Sequence, residues 1–191
     1  MPIIKRYSEE AEQYNAYLDR LSRSGIKSLG SGRTGTVFQH PTLPNVAVKV
    51  YARQRRENSH KWYKWCESHQ QNPFVPKIYH LRKEDNLQFY EKDSTSFHIV
   101  FMEKLERVTF TTLLRFVQKN ELQAAMVLAS ENKGFFIGPQ IEIDKVQDKN
   151  LRAVLTTVRK LSLSQRFASG DMHRKNFMRR GKQLVFTDPV A

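Results

Sequence analysis

One cysteine in 191 residues, Cys66, is too few for an internal disulfide, so packing and hydrogen bonds alone must hold the fold. That scarcity fits a reducing compartment. No apolar run reaches the ~20 residues a membrane-spanning helix requires. The opening "MPIIKRYSEEAEQ" turns polar too early for a secretory signal. The expectation is a soluble cytoplasmic chain with no membrane partner. Proline and glycine are also sparse, at 7 and 8 residues, and no Pro/Gly/Ser-rich linker, repeat or low-complexity segment divides the chain. Acidic residues are short relative to basic ones: 19 Asp and Glu stand against 32 Lys and Arg, for a formal charge of +13. Such a field favours anionic partners, among them nucleotides, nucleic acid and acidic proteins. From Arg159 to Lys182 there are 8 basic residues and one acid, Asp171. A solvated basic face would account for that block as well as a binding surface would.

What is present suffices for a core. Apolar residues make up 39% and aromatics 11%, which suits one compact domain or two small lobes sharing a cleft. "SEEAEQYNAYLDRLSRSG" predicts an opening helix with Ser8 as N-cap, a stripe of Tyr14, Tyr17, Leu18 and Leu21, and Gly25 past its end. "GIKSLG", "GTVFQH", "NVAVKVY", "KIYHLRK", "LQFYEK" and "SFHIVFME" are six strand candidates, from which a five-stranded antiparallel sheet is expected. "ENSHKWYKWCESHQQ" interrupts them as a helix stopped by Asn72-Pro73. Its Trp62, Tyr63, Trp65 and Cys66 read as packing residues. After Glu103 the pattern turns helical: "FTTLLRFVQKNELQAAMVLASEN" as one or two helices, "GFFIGPQIEID" as a loop, and "LRAVLTTVRKLSLSQRF" with Leu151, Val154, Leu155, Val158 and Leu161 on one face. A short hairpin turning at Arg180-Gly181-Lys182 follows.

Two constellations carry chemistry. Leu29-Gly30-Ser31-Gly32-Arg33-Thr34-Gly35-Thr36-Val37 fits L-G-x-G-x-x-G-x-V between two strands. Glycines there let backbone N–H groups lie over phosphate oxygens without Cβ clashes. A helix after the third glycine would suggest a dinucleotide site; the strand that follows argues against one. Alone, the glycines could be a plain β-turn. Val46-Ala47-Val48-Lys49 then supplies the V-A-I-K-type lysine that binds α and β phosphates. In the second constellation, Asp171 and Asn176 are spaced D-x-x-x-x-N within "SGDMHRKN", and Asp188 follows in "VFTDPV". That trio suits a group that receives a hydroxyl proton and two oxygen ligands for Mg²⁺.

Together "LGSGRTGTV", "VAVK", "GDMHRKN" and "TDP" resemble the Gly-rich loop, ATP lysine, catalytic loop and a variant D-F-G of protein kinases. "HPTLPNVAVKV", "DMHRKNFM" and "TDPV" are more closely similar to the early serine/threonine kinases of podoviruses that infect enteric bacteria. The resemblance implies an α+β, two-lobe kinase-like fold, with an N-lobe over residues 1–103 and a minimal helical C-lobe over 104–191. It implies ATP and Mg²⁺ as cofactors, with host bacterial proteins such as transcription or RNA-processing machinery as substrates. Nucleotide contacts would come from Gly30, Ser31, Gly32, Arg33, Gly35, Val37, Ala47 and Lys49. Met102 would be the gatekeeper, and the backbones of Glu103 and Leu105 would bond adenine. Glu67 would pair with Lys49, Glu57 being the alternative. Asp171 would receive the substrate hydroxyl, Lys175 would neutralise the transferred phosphate, and Asn176 and Asp188 would hold Mg²⁺.

The chain departs from the kinase pattern in several places. Ser169-Gly170 replaces the usual H-R, which brings S-G-D close to the H-G-D of aminoglycoside phosphotransferases. His173 stands where a lysine is usual. Asp188 is followed by Pro189-Val190, so a D-F-G flip is not expected. No activation segment or A-P-E follows within these residues. A small-molecule phosphotransferase and a non-catalytic binder of a host protein or nucleic acid therefore stand beside the protein-kinase reading.

Overall fold

The computed structural model describes residues 3–32, 35–52, 57–80, 97–120, 122, 126–130, 134–137, 143–163 and 174–190. It is an α+β chain in two compact units. One holds residues 1–60 and 77–104; the other holds residues 61–76 and 105–191.

The first unit is a five-stranded antiparallel sheet with a helix on one face. Helix α1 spans Ile3–Arg23, five residues earlier than Ser8 at its start, so Ser8 lies inside the helix and is not its N-cap. Its end follows the expectation. Gly25 has φ of +74°, and the N–H groups of Gly25 and Ile26 reach back to the carbonyls of Ser22 and Leu21. These two bonds satisfy carbonyls left over at the helix end, with Ile26 and Leu21 packing together in the core. The strands are β1 (Ser28–Ser31), β2 (Gly35–Gln39), β3 (Val46–Ala52), β4 (Ile78–Tyr79) and β5 (Phe97–Glu103), ordered β1-β2-β3-β5-β4. The stretch "LQFYEK" lies outside the described residues.

Side chains alternate across the sheet, and the register assigns every one to a face. Phe38, Val48, Val50 and Phe97 pack with Tyr17 and Leu21 of α1. Directly opposed residues of neighbouring strands share a face. Val37, Lys49 and Val100 thus form one row on the opposite side, with Gln39, Ala47 and Met102 beside it. Buried His40 organises the β2–β3 connection, its Nδ1 accepting the N–H groups of Thr42 and Leu43.

Helix α2 spans Glu57–Ser68. It stops before Asn72-Pro73, where the buried Asn72 accepts the Phe74 N–H and donates to the Asn150 carbonyl.

The second unit carries more strand than the minimal helical lobe expected of it. Helix α3 (Phe110–Lys119) is capped by Thr109, whose Oγ1 accepts the Thr112 N–H. The next segment is not helical: β7 (Met126–Ser130) pairs antiparallel with β8 (Gly134–Ile137), which corrects both the second helix and the loop predicted there. Ala124, Ala125 and Leu128 suit a helix locally, but a short apolar run is decided by whether a partner strand lies nearby. Helix α4 (Lys149–Leu163) matches the predicted stripe: Leu151, Val154, Leu155 and Val158 are buried, and Asp148 caps the start through the N–H groups of Asn150 and Leu151. Strands β9 (Phe177–Arg180) and β10 (Gln183–Phe186) turn at Gly181, φ +57°, and the short β6 (Glu106–Arg107) completes a three-stranded sheet.

Candidate active site

The glycine turn closes through the Gly32 N–H, which donates to the Gly35 carbonyl at 2.9 Å. Its glycines are not equivalent. A Cβ on Gly35 would sit 2.9 Å from the Val50 carbonyl oxygen, 3.0 Å from Tyr51 Cβ and 3.4 Å from Lys49 Cε. One on Gly32 would meet only the Gly35 carbonyl oxygen, at 3.8 Å. Gly35 is therefore needed for β2 to lie against Val50 and Tyr51 of β3, with the Lys49 stem beside it. Arg33 and Thr34 lie outside the described residues.

Lys49 is 8% exposed, with its amine 6.0 Å from the centroid of the Tyr51 ring. Opposite it stand Val37 on β2 and Val100 on β5; Ala47 pairs with Met102, and Met102 with Ile78. A cationic amine is thus set in an apolar row, between a glycine turn at one end and a small alanine at the other. At the edge of this surface the Glu103 N–H donates to the Lys77 carbonyl, and the Glu103 carboxylate accepts the Lys77 N–H at 2.8 Å. Any ligand contact from the Glu103 backbone would therefore fall to its carbonyl. Ser31 and Thr36 flank the turn with hydroxyls 3.3 Å apart. Leu105 follows in the other unit.

On α2, the Glu67 carboxylate accepts a hydrogen bond from Lys64 of its own helix at 3.2 Å. Of Glu57 the structure describes only the helical backbone.

The second unit gathers Asn176 and Asp188. Asn176 ends a single 3₁₀ turn, Arg174–Asn176, just before β9; Asp188 follows two residues after β10. Because Phe177 pairs with Phe186, the two residues lie at the same end of the hairpin. Thr187 ties that end shut: its N–H and its hydroxyl both donate to the Asn176 carbonyl, at 2.8 and 2.9 Å. The Thr187 carbonyl in turn accepts the Tyr63 hydroxyl of α2 at 3.0 Å. Lys175 is exposed beside Asn176. Asp171, Gly170 and His173 lie outside the described residues. Buried Cys66 also lies near Asp188: burial, then the Asp188 carboxylate, push its thiol well above the ordinary range.

A family model described as "Bacteriophage T7 protein kinase 0.7" matches residues 4–191. The chain belongs to this phage protein kinase family. No curated protein and no solved structure matches it. The family's description is that of a phosphotransferase, and it covers both the Lys49 surface and the Asn176–Asp188 hairpin.

The sequence pattern alone weights the three glycines equally and marks Tyr63 only as a packing residue. Register alone separates Gly35 from Gly32. The Tyr63 hydroxyl finds its partner 124 residues away, a distance no local pattern spans. Thr187, directly before Asp188 in "TDP", was the one visible signal of that junction.

Proposed function

We propose that this chain is an ATP- and Mg²⁺-dependent serine/threonine protein kinase, built on the two-lobe kinase fold and acting on host bacterial proteins. The observation that carries the reading is the buried Lys49 beside side-chain-free Gly35, within the apolar row of Val37, Ala47, Val100 and Met102. Glycines that leave room for backbone N–H groups beside a buried amine suit polyphosphate, and the apolar row suits a flat base. The Asn176 amide oxygen and the Asp188 carboxylate are the hard oxygen donors Mg²⁺ takes; such ions are commonly held by one or two protein oxygens with phosphates and water completing the shell. Mg²⁺-ATP supplies the transferable phosphoryl group and the charge neutralisation that goes with it.

The chain's own residues would then divide the work. Lys49 orients the α and β phosphates, helped by the backbone of Gly30, Ser31, Gly32, Arg33 and Gly35. Met102 borders the base, and the Glu103 and Leu105 backbones hydrogen-bond it. Glu67 sets the Lys49 side chain. Asp171 receives the proton of the substrate hydroxyl, and Lys175 offsets charge on the moving phosphoryl group. Catalysis of this kind is mostly positioning and electrostatics.

The test is γ-labelled ATP with Mg²⁺ and bacterial lysate, comparing the parent with Lys49→Ala and Asp171→Ala and identifying the labelled residue type. The parent should label protein serine or threonine. Asp171→Ala should lose about 10²–10⁴-fold in transfer while still binding nucleotide. Retained transfer in Asp171→Ala would remove that residue from its role. Label found only on an added aminoglycoside would replace the protein-kinase reading with small-molecule phosphotransfer.

A further inference from the structure

A metal-binding carboxylate has to be held in place, and here Pro189-Val190 occupies the position of a flexible phenylalanine-glycine pair. Proline restricts its own φ and disfavours helical backbone at the residue before it, Asp188. Val190 is fully buried. On the other flank, Thr187 spends both of its donors on the Asn176 carbonyl and offers its own carbonyl to Tyr63. Asp188 therefore sits between a clamped residue and a stiff one.

We infer that Thr187 and Tyr63 are positioning residues: they hold Asn176 and Asp188 in one fixed arrangement, so that the metal pair is set by the fold and is not switched by rotation of the segment. The inference rests on the proposed Mg²⁺ role of Asn176 and Asp188. The Thr187 hydroxyl locks the Asn176 backbone at the start of β9 to the residue preceding Asp188. The Tyr63 hydroxyl extends the lock to α2. The neighbouring stitches belong to the same body: the Phe186 N–H donates to the Phe74 carbonyl, and the Arg180 guanidinium donates to the carbonyls of Pro73 and Val75. The hairpin is thus bonded to the turn after α2 as well as to the helix itself.

The experiment measures Mn²⁺ binding by electron paramagnetic resonance in the presence of a non-hydrolysable ATP analogue, with analogue binding in chelator and thermal melting as companions. Thr187→Val keeps the shape and the N–H bond but loses the hydroxyl. It should weaken Mn²⁺ binding about tenfold, as expected for one lost hydrogen bond, with metal-free nucleotide binding unchanged. Thr187→Ser should stay within about twofold of the parent, and Tyr63→Phe should fall between. Parent-like Mn²⁺ affinity in Thr187→Val overturns the inference, as does equal loss in Thr187→Val and Thr187→Ser. Failure of the parent itself to bind Mn²⁺ with the analogue would instead reject the metal site, and this inference with it.

Discussion

At the residue scale, Gly35 and Cys66 make opposite demands on their surroundings. Gly35 lacks room for even one carbon, since a Cβ would press to 2.9 Å from the Val50 carbonyl oxygen and 3.0 Å from Tyr51 Cβ, atoms that cannot swing away. Gly35→Ala should cost about 1–3 kcal/mol, the usual range for overpacking, and should weaken nucleotide binding. Gly32→Ala should stay within about 0.5 kcal/mol in the same thermal or denaturant melts. Cys66 is enclosed, and both its burial and the Asp188 carboxylate oppose its thiolate. Its folded pKa lies above the unfolded value of about 8.5. The folded state thus keeps a proton that the unfolded state releases, so its stabilising share is complete below that pH and lost as pH rises. Denaturant melts from pH 7 to 10 should show an alkaline decline that is shallower in Cys66→Ala. Equal slopes would remove Cys66 as its source. In the folded parent, thiol reagents should react with Cys66 only as fast as it unfolds.

At the element scale, α1 holds its sheet by two separable devices, an apolar stripe and a glycine end. Leu21 is 1% exposed among Tyr17, Phe38, Val48, Val50 and Phe97. Leu21→Ala should cost about 2–5 kcal/mol, the lost burial plus the cavity left behind. Gly25→Ala meets no steric neighbour, so its cost should be only that of a left-handed backbone, about 1–2 kcal/mol. Chemical denaturation of the two variants checks both figures. Comparable losses would mean that the cap carries more than its backbone conformation. The β9–β10 hairpin is governed by cross-strand pairing: the Phe177 and Phe186 rings meet edge-on at 5.0 Å, and the Asn176–Thr187 bonds close the end beyond them.

At the scale of the whole molecule, the formal charge of +13 is the dominant feature not spent on the core. Among the described residues, no helix is long and apolar enough to cross a membrane. Exposed charges act over about 10 Å at 0.1 M salt. If acidic proteins are the substrates, raising salt from about 50 to 200 mM should reduce their labelling several-fold, through weaker encounter. Labelling of a neutral peptide should change little. Equal sensitivity for both would place the salt effect on the enzyme and not on recruitment.

The local grammar of the chain determined a good deal without any coordinates. Alternation in "NVAVKVY" made β3, the Leu151–Val158 stripe made α4, Gly25 and Gly181 took the positive-φ positions, and the motifs around Gly30–Gly35, Lys49, Asp171–Asn176 and Asp188 marked the kinase resemblance. Each depends on residues within a turn or a strand of one another, or on a motif read as a pattern. Tertiary structure decided the rest. It made "MVLAS" a strand because "GFFI" lies beside it, singled out Gly35 because β3 runs beneath it, and gave the Tyr63 hydroxyl to the Thr187 carbonyl. Burial and hydrogen bonding reward whichever partner the fold delivers, and those partners are too far apart in the chain for local periodicity to encode them.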